Sequence, residues 1–224
     1  MSGRSPFEVR AEDIELLRCR WHGLTCKYTD GGSARDAAFK SIVRSYSTES
    51  RAYHNLSHVK ALIHLYDEFK RDAGYDPILF AIWFHDIIYD TRRNDNEDIS
   101  ADFAREALGT LGVPSGIVSE VGLMIRATKY HSSEHLSADG ELFLDLDVSI
   151  LGASPELYHE YSDAIRREYD WVPWPIYRQA RSGILRNFLQ RQRIFFTDQI
   201  NSRFGDQART NLKNELNGLN ELAE

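Results

Sequence analysis

Charged and metal-binding side chains interrupt the two most apolar stretches of this chain. His85 and Asp86 stand inside Ile78 to Tyr89 (ILFAIWFHDIIY), and Asp145 and Asp147 stand inside Leu142 to Leu151 (LFLDLDVSIL). An ionised carboxylate withdrawn from water is costly unless it is paired or bound to a metal, and neither stretch contains a Lys or Arg. A divalent cation satisfies these carboxylates together, with imidazoles as further ligands. His54, His58 and His131 supply more imidazoles. The bland alternative is a hydrogen-bonded His85 and Asp86 core pair; the additional histidines and the acidic residues of the second stretch weigh against it. Cys19 and Cys26 belong to no CxxC pair, so a zinc–thiolate site is not indicated.

Position separates the roles. If Asn55 caps a helix, His58 falls in its first turn with a fixed side-chain direction, and His54 falls outside on looser backbone. A ligand needs the rigid place and a proton donor tolerates some freedom, so His54 reads as a general acid or as a surface residue. Asp145 and Asp147 are about 200° apart around a helix; there, one faces the ion and the other accepts a hydrogen bond from a ligating His. Asp90 and Glu97 can orient a water or a second ion, or are solvated carboxylates. Thr128-Lys129-Tyr130-His131 is a stretch that can bring a Lys and a His to a substrate phosphate, or is an ordinary loop; His135 has no such support. Arg178, Arg181, Arg186, Arg191 and Arg193 make a late helix basic, a solvated face unless Arg178 or Arg181 reaches the pocket. Trp171, Trp174 and Tyr177, around Pro173 and Pro175, read as packing at a helix junction.

His58, His85-Asp86 and Asp147 match the H…HD…D pattern of the HD superfamily of metal-dependent phosphohydrolases. The strings YHNLSHV, WFHDIIYD, DNEDISA, LDLDVSILG and ARTNLKNEL resemble the subfamily of predicted metal-dependent HD phosphohydrolases, and the resemblance runs from about residue 10 to the C-terminus. It implies a metal held by His58, His85, Asp86 and Asp147, with Asp86 serving the chemistry as well. Tyr53-His54-Asn55-Leu56-Ser57-His58 is also similar to the YHNxxH motif of cyclic-nucleotide phosphodiesterases. There the first His protonates the leaving oxygen and the second binds metal, which implies His54 as general acid and His58 as ligand. Asp147-Val148-Ser149 resembles the Asp-Leu-Ser that carries the distal carboxylate ligand of those enzymes. Their purine-holding glutamine has no counterpart here.

The elements that must position these residues read as helices. Ile14, Leu16, Leu17, Trp21 and Leu24 form one apolar stripe, and Ala37, Ala38, Ile42, Val43 and Tyr46 form another after the Gly31-Gly32 break. Val59, Leu62, Ile63, Tyr66 and Phe69 predict a third helix, opened by Asn55 and stopped by Gly74 and Pro77. Ile78 to Tyr89 is apolar nearly all round and predicts a central buried helix. After a polar loop over Thr91 to Asp98 come helices at Ser100 to Leu111 and Ser115 to Thr128. Leu142 to Leu151 follows as a buried run, then helices at Pro155 to Tyr169, Pro175 to Gln192 and Phe204 to Leu222. No hairpin alternation or repeat occurs, so the expected class is all-α, a compact helical bundle. A single domain over 1–224 is expected, with the metal-site core at about 50–155.

Composition narrows the partners. The 27 Lys and Arg against 34 Asp and Glu give a net charge of −7, which offers no broad field for a nucleic-acid backbone. A small phosphorylated ligand needs only a local basic group, for which Lys129 is the candidate. Cys19 and Cys26 are seven residues apart in a helical stretch, too far for a bridge, and read as reduced thiols of a cytoplasmic protein. Met1 to Ala11 is polar, without a signal peptide's apolar segment, and no run reaches the roughly 18 apolar residues of a membrane span. The expected function is metal-dependent hydrolysis of a phosphate ester or anhydride in a small substrate, a nucleotide first of all. The set His54, Asp86, Lys129 and Glu97 would act on substrate, and the ion would be Mn, Fe, Co, Ni, Zn or Mg. A metal-dependent hydratase or lyase and a non-catalytic nucleotide-binding domain are the rivals. Oligomeric state is not legible.

Overall fold

The computed structural model describes residues 5–70 and 75–221. It is all-helical: among the described residues there are ten α-helices, one short 3-10 helix and no strand. Contacts divide the chain into two compact units, Met1–Leu144 and Asp145–Glu224.

The first unit holds α1 (Ala11–Thr25), α2 (Gly32–Tyr46), α3 (Leu56–Phe69), α4 (Asp76–Phe84), α5 (Asn96–Thr110), α6 (Ser115–Thr128) and most of α7 (Ala138–Asp147). The division falls inside α7, whose continuous backbone carries Asp145 to Asp147 on from Leu144 as its closing turn. Helix α4 is the centre of this unit, packed by α3, α5 and α6. Ile78 and Phe80 to Phe84 are all buried, as a helix apolar on every face must be, and each large side chain contributes about 1.5–3 kcal/mol by leaving water. Trp21 of α1 meets Phe80, Trp83 and Phe84 edge-on at 5.5–6.3 Å, and its indole N–H donates to the Arg35 carbonyl at 3.0 Å.

The second unit holds the 3-10 helix (Ser149–Gly152), α8 (Pro155–Glu168), α9 (Trp174–Gln190) and α10 (Asp198–Glu221). Gly152 lets α10 come close: a Cβ there would stand 2.6 Å from the Phe204 carbonyl oxygen. Buried Asn211 fixes the same contact by donating from Nδ2 to the carbonyls of Leu151 and Ala153, both at 2.9 Å.

Several boundaries differ from the sequence reading. The helix expected to run to Tyr89 ends at Phe84, with His85 as its C-cap. Side chains replace the ladder beyond that point: Arg51 donates to the carbonyls of Asp86 and Ile87, and the Ser100 hydroxyl serves both the N–H and the carbonyl of Ile88. Helix α5 begins at Asn96, four residues before the expected start, with Glu97 and Asp98 in its first turn, where the helix dipole favours acidic groups. Helix α10 begins at Asp198 instead of Phe204. The buried run at Leu142 to Leu151 breaks after Asp147 into the 3-10 turn. Gly74, expected to stop α3, and Leu222, expected to end the last helix, lie outside the described residues; Pro77 opens α4.

Candidate metal centre

Helix α3 starts where the sequence places it. The Asn55 side chain accepts from the Ser57 N–H at 2.8 Å, the N-cap bond that satisfies one of the orphan donors of a helix start. Its Nδ2 donates to the Phe7 and Arg51 carbonyls, which anchors the cap. His58 therefore sits in the first turn, buried, and His85 closes α4, also buried.

Their rings meet. His58 Nε2 and His85 Nε2 are 3.2 Å apart. His85 Nδ1 lies 3.0 Å from the Ile82 carbonyl oxygen, and a carbonyl only accepts, so Nδ1 carries a proton. Its Nε2 lies 3.1 Å from Asp86 Oδ2, an ion pair when the ring is protonated. In the neutral ring, Nδ1 bonded to a backbone carbonyl is the tautomer in which Nε2 ligates metals. Asp147, the expected distal carboxylate, ends α7 and is half-buried. Two imidazoles with carboxylates form a set suited to first-row divalent ions, so the residues fit the cation that the sequence demands.

Asp86, expected as a ligand, follows His85 directly. Its carboxylate stands against His85 with a fifth of the side chain exposed, so it is less buried than the apolar run suggested. Its N–H donates to the Tyr46 hydroxyl at 3.2 Å and its carbonyl accepts from Arg51 at 2.6 Å.

His54 is half-buried at the rim of the same cluster. Its ring stacks on Tyr89 at 4.2 Å and meets Tyr53 and His58 edge-on at 5.1 and 6.0 Å. An open surface position, the alternative reading of His54, does not describe this ring.

The other sequence candidates are placed as follows. Lys129 caps the C-terminus of α6 and donates to the Asn94 carbonyl at 2.5 Å, with its ammonium near the Tyr130 ring. Glu97 is half-exposed in the first turn of α5. Asp90 organises the preceding loop: Oδ1 accepts from the Arg92 N–H at 2.9 Å, and Asn96 bonds both polar groups of its backbone. His131 and His135 have left-handed backbone, φ 44° and 70°, and His135 is exposed beside Glu134.

Asp145 is engaged within the second unit. Its oxygens accept from the Phe196 and Thr197 N–H groups at 2.7 Å and the Thr197 hydroxyl at 2.6 Å, which fixes the turn that leads into α10. Arg181 is bound to Glu215, and Arg178 reaches the Leu219 carbonyl at 3.4 Å. Trp174 stacks on Tyr177 at 5.9 Å as helix-junction packing. Both cysteines are free and exposed, and no helix of the described residues is long and apolar enough to cross a membrane.

Two surface clefts of about 560 and 670 Å³ are lined by other residues, among them Arg18, Phe39 and Lys40 in one and Tyr28, Tyr75 and Asp76 in the other. The residue that sequence reasoning missed is Arg51. It is buried just ahead of the Tyr53-His54-Asn55 string, in a connection with no apolar period to mark it. No protein-family model matches the chain, and searches of the curated proteins and of the solved structures return no match.

Proposed function

We propose that the chain is a metal-dependent phosphohydrolase acting on a small phosphorylated substrate, a nucleotide foremost. The observation that carries this is the convergence of His58 Nε2 and Asp86 Oδ2 on His85 Nε2, at 3.2 and 3.1 Å. When bound there, a divalent ion supplies an acidified water and polarises a phosphoryl oxygen. The protein's own part is to hold lone pairs inward and to deliver a proton. His85 is locked in the ligating tautomer by Ile82, His58 is aimed by the first turn of α3, and Asp86 is pinned through its backbone. His54, outside the helix with its ring steadied by Tyr89, is the proton donor to the leaving oxygen, a role that needs hydrogen-bond reach and some freedom of movement. The similarity of Tyr53 to His58 and of His85-Asp86 to the HD phosphohydrolase motifs supports the same assignment.

The test is elemental analysis of the purified chain, followed by phosphate release from nucleoside mono-, di- and triphosphates with Mn²⁺, Mg²⁺, Co²⁺ or Ni²⁺ added. The expected result is release that depends on the ion and stops with chelator, and that exceeds degradation of long RNA or DNA at physiological salt. A chain that binds an ion yet releases phosphate from none of the panel would overturn the hydrolase and leave a hydratase, a lyase or a binding domain.

A further inference from the structure

Among the described residues, Arg51 is a buried cation whose hydrogen-bond partners are all carbonyl oxygens. It is 6% exposed, and a guanidinium so buried ordinarily faces a carboxylate. Here Nη1 donates to the carbonyls of His54 at 2.9 Å and Asp86 at 2.6 Å, and Nη2 to that of Ile87 at 3.1 Å. The Tyr46 and Tyr89 rings flank it at 4.9 and 5.4 Å, and its Nε is buried without a hydrogen bond. The same two tyrosines touch the candidate site: Tyr46 accepts the Asp86 N–H, and Tyr89 stacks on the His54 ring.

A single nitrogen, Nη1, therefore ties the connection that carries His54 to the turn that carries Asp86. The charge is well placed for this, because the free carbonyls after a helix C-terminus carry negative partial charge. A planar fork reaches two or three oxygens at once, which a lysine ammonium on a flexible stem does less well.

We infer that Arg51 is a positioning residue that couples the two halves of the site, so that an ion gripped at His85 and Asp86 also orders His54. This rests on the metal-site reading above. The experiment is titration of metal-free protein with Ni²⁺ and with Mn²⁺ by calorimetry, alongside hydrogen exchange of the backbone over residues 50–56 and 84–89 with and without ion. In the wild type the ion should slow exchange in both segments. Arg51→Lys should bind the ion 10- to 100-fold more weakly, in the range seen for groups that orient ligands from behind, and the ion should then slow exchange in 84–89 alone. A purely structural arginine would lower the melting temperature and leave the paired response to the ion intact.

An Arg51→Lys chain that binds the ion with wild-type affinity and slows both segments overturns the inference. If that variant does not fold, the wild type decides: slowing confined to 84–89 means that the two segments are not coupled. A wild type that binds neither ion overturns the metal site itself, a result distinct from a failure of Arg51 alone.

Discussion

Two clusters of buried polar side chains show how differently this chain treats charge in its interior. In the second unit Arg181, only 7% exposed, grips Glu215 with Nε to Oε1 at 2.7 Å and Nη2 to Oε2 at 3.0 Å. The Tyr158 hydroxyl donates to Oε2 at 2.5 Å, and the Tyr161 ring lies 5.5 Å from the guanidinium carbon. Donors meet acceptors and the charges cancel. Around His85 the neighbours are an imidazole and a carboxylate: Nε2 faces His58 Nε2 and Asp86 Oδ2. The first cluster matches donors to acceptors and holds helices together; the second has the makeup of a group that could hold a cation. Burial of polar groups is common to both, so burial alone does not identify a binding site. The sign of what faces what does.

The contrast predicts opposite responses to deletion, and the largest belongs to the open cluster. Asp86→Asn should abolish ion binding and phosphate release together, while the metal-free chain keeps its stability in a urea melt, because the backbone bonds of residue 86 to Tyr46 and Arg51 do not need the carboxylate. A marked loss of metal-free stability would mean that the cluster is a structural pair after all. His54→Ala should keep the ion and lower kcat by about 10²- to 10⁴-fold, the range for a lost general acid; a variant without metal would show that His54 and His58 have been exchanged in role. Arg181→Ala should cost about 3–5 kcal/mol of stability, since it strands a buried carboxylate. The double variant Arg181→Met, Glu215→Leu should recover most of that. If Arg181→Ala proves neutral, the closed cluster is not holding the second unit together.

How far the sequence reveals this arrangement depends on the chain distance between a residue and whatever fixes it. Helix α6 is predicted at Ser115 to Thr128 and is found there, since Pro114 marks its start locally. The start of α3 is legible because its cap, Asn55, is one residue away. The stop of α4 is not, because the groups that take over its hydrogen bonds are Arg51, 35 residues upstream of Asp86, and Ser100, 12 residues downstream of Ile88. The start of α10 is hidden in the same way: the turn that leads into it is held by Asp145, 52 residues before Thr197. The opposite placement of Asp145 and Asp147 follows from helical period, but that Asp145 meets backbone N–H groups of the chain 51 and 52 residues on is a tertiary fact. The candidate ligands are legible for a different reason, since carboxylates and imidazoles inside apolar runs violate the burial rule wherever the chain then goes.

The smallest predicted effect is the acid response of the closed cluster. Burial pushes the Glu215 carboxyl up, but hydrogen bonds and charge from Arg181, with further bonds from Tyr158 and Ser162, outweigh it and hold the group below the ordinary glutamate range. A carboxyl depressed on folding contributes stability above its unfolded value, about 4.3, and that contribution disappears as pH falls through the folded value. Asp13, bonded to Lys60, and Asp67, where Arg20 and Lys70 overcome burial, are depressed too, so the slope of the wild type alone does not isolate Glu215. The informative quantity is the difference in urea midpoint between the wild type and Glu215→Gln. It should be constant from about pH 5 upward and shrink as the pH drops below about 4, where the wild-type carboxyl takes up its proton. A difference that stays level down to the acid transition would mean that Glu215 is not held as a carboxylate by Arg181, and the distinction between a satisfied cluster and an open one would lose its reference point.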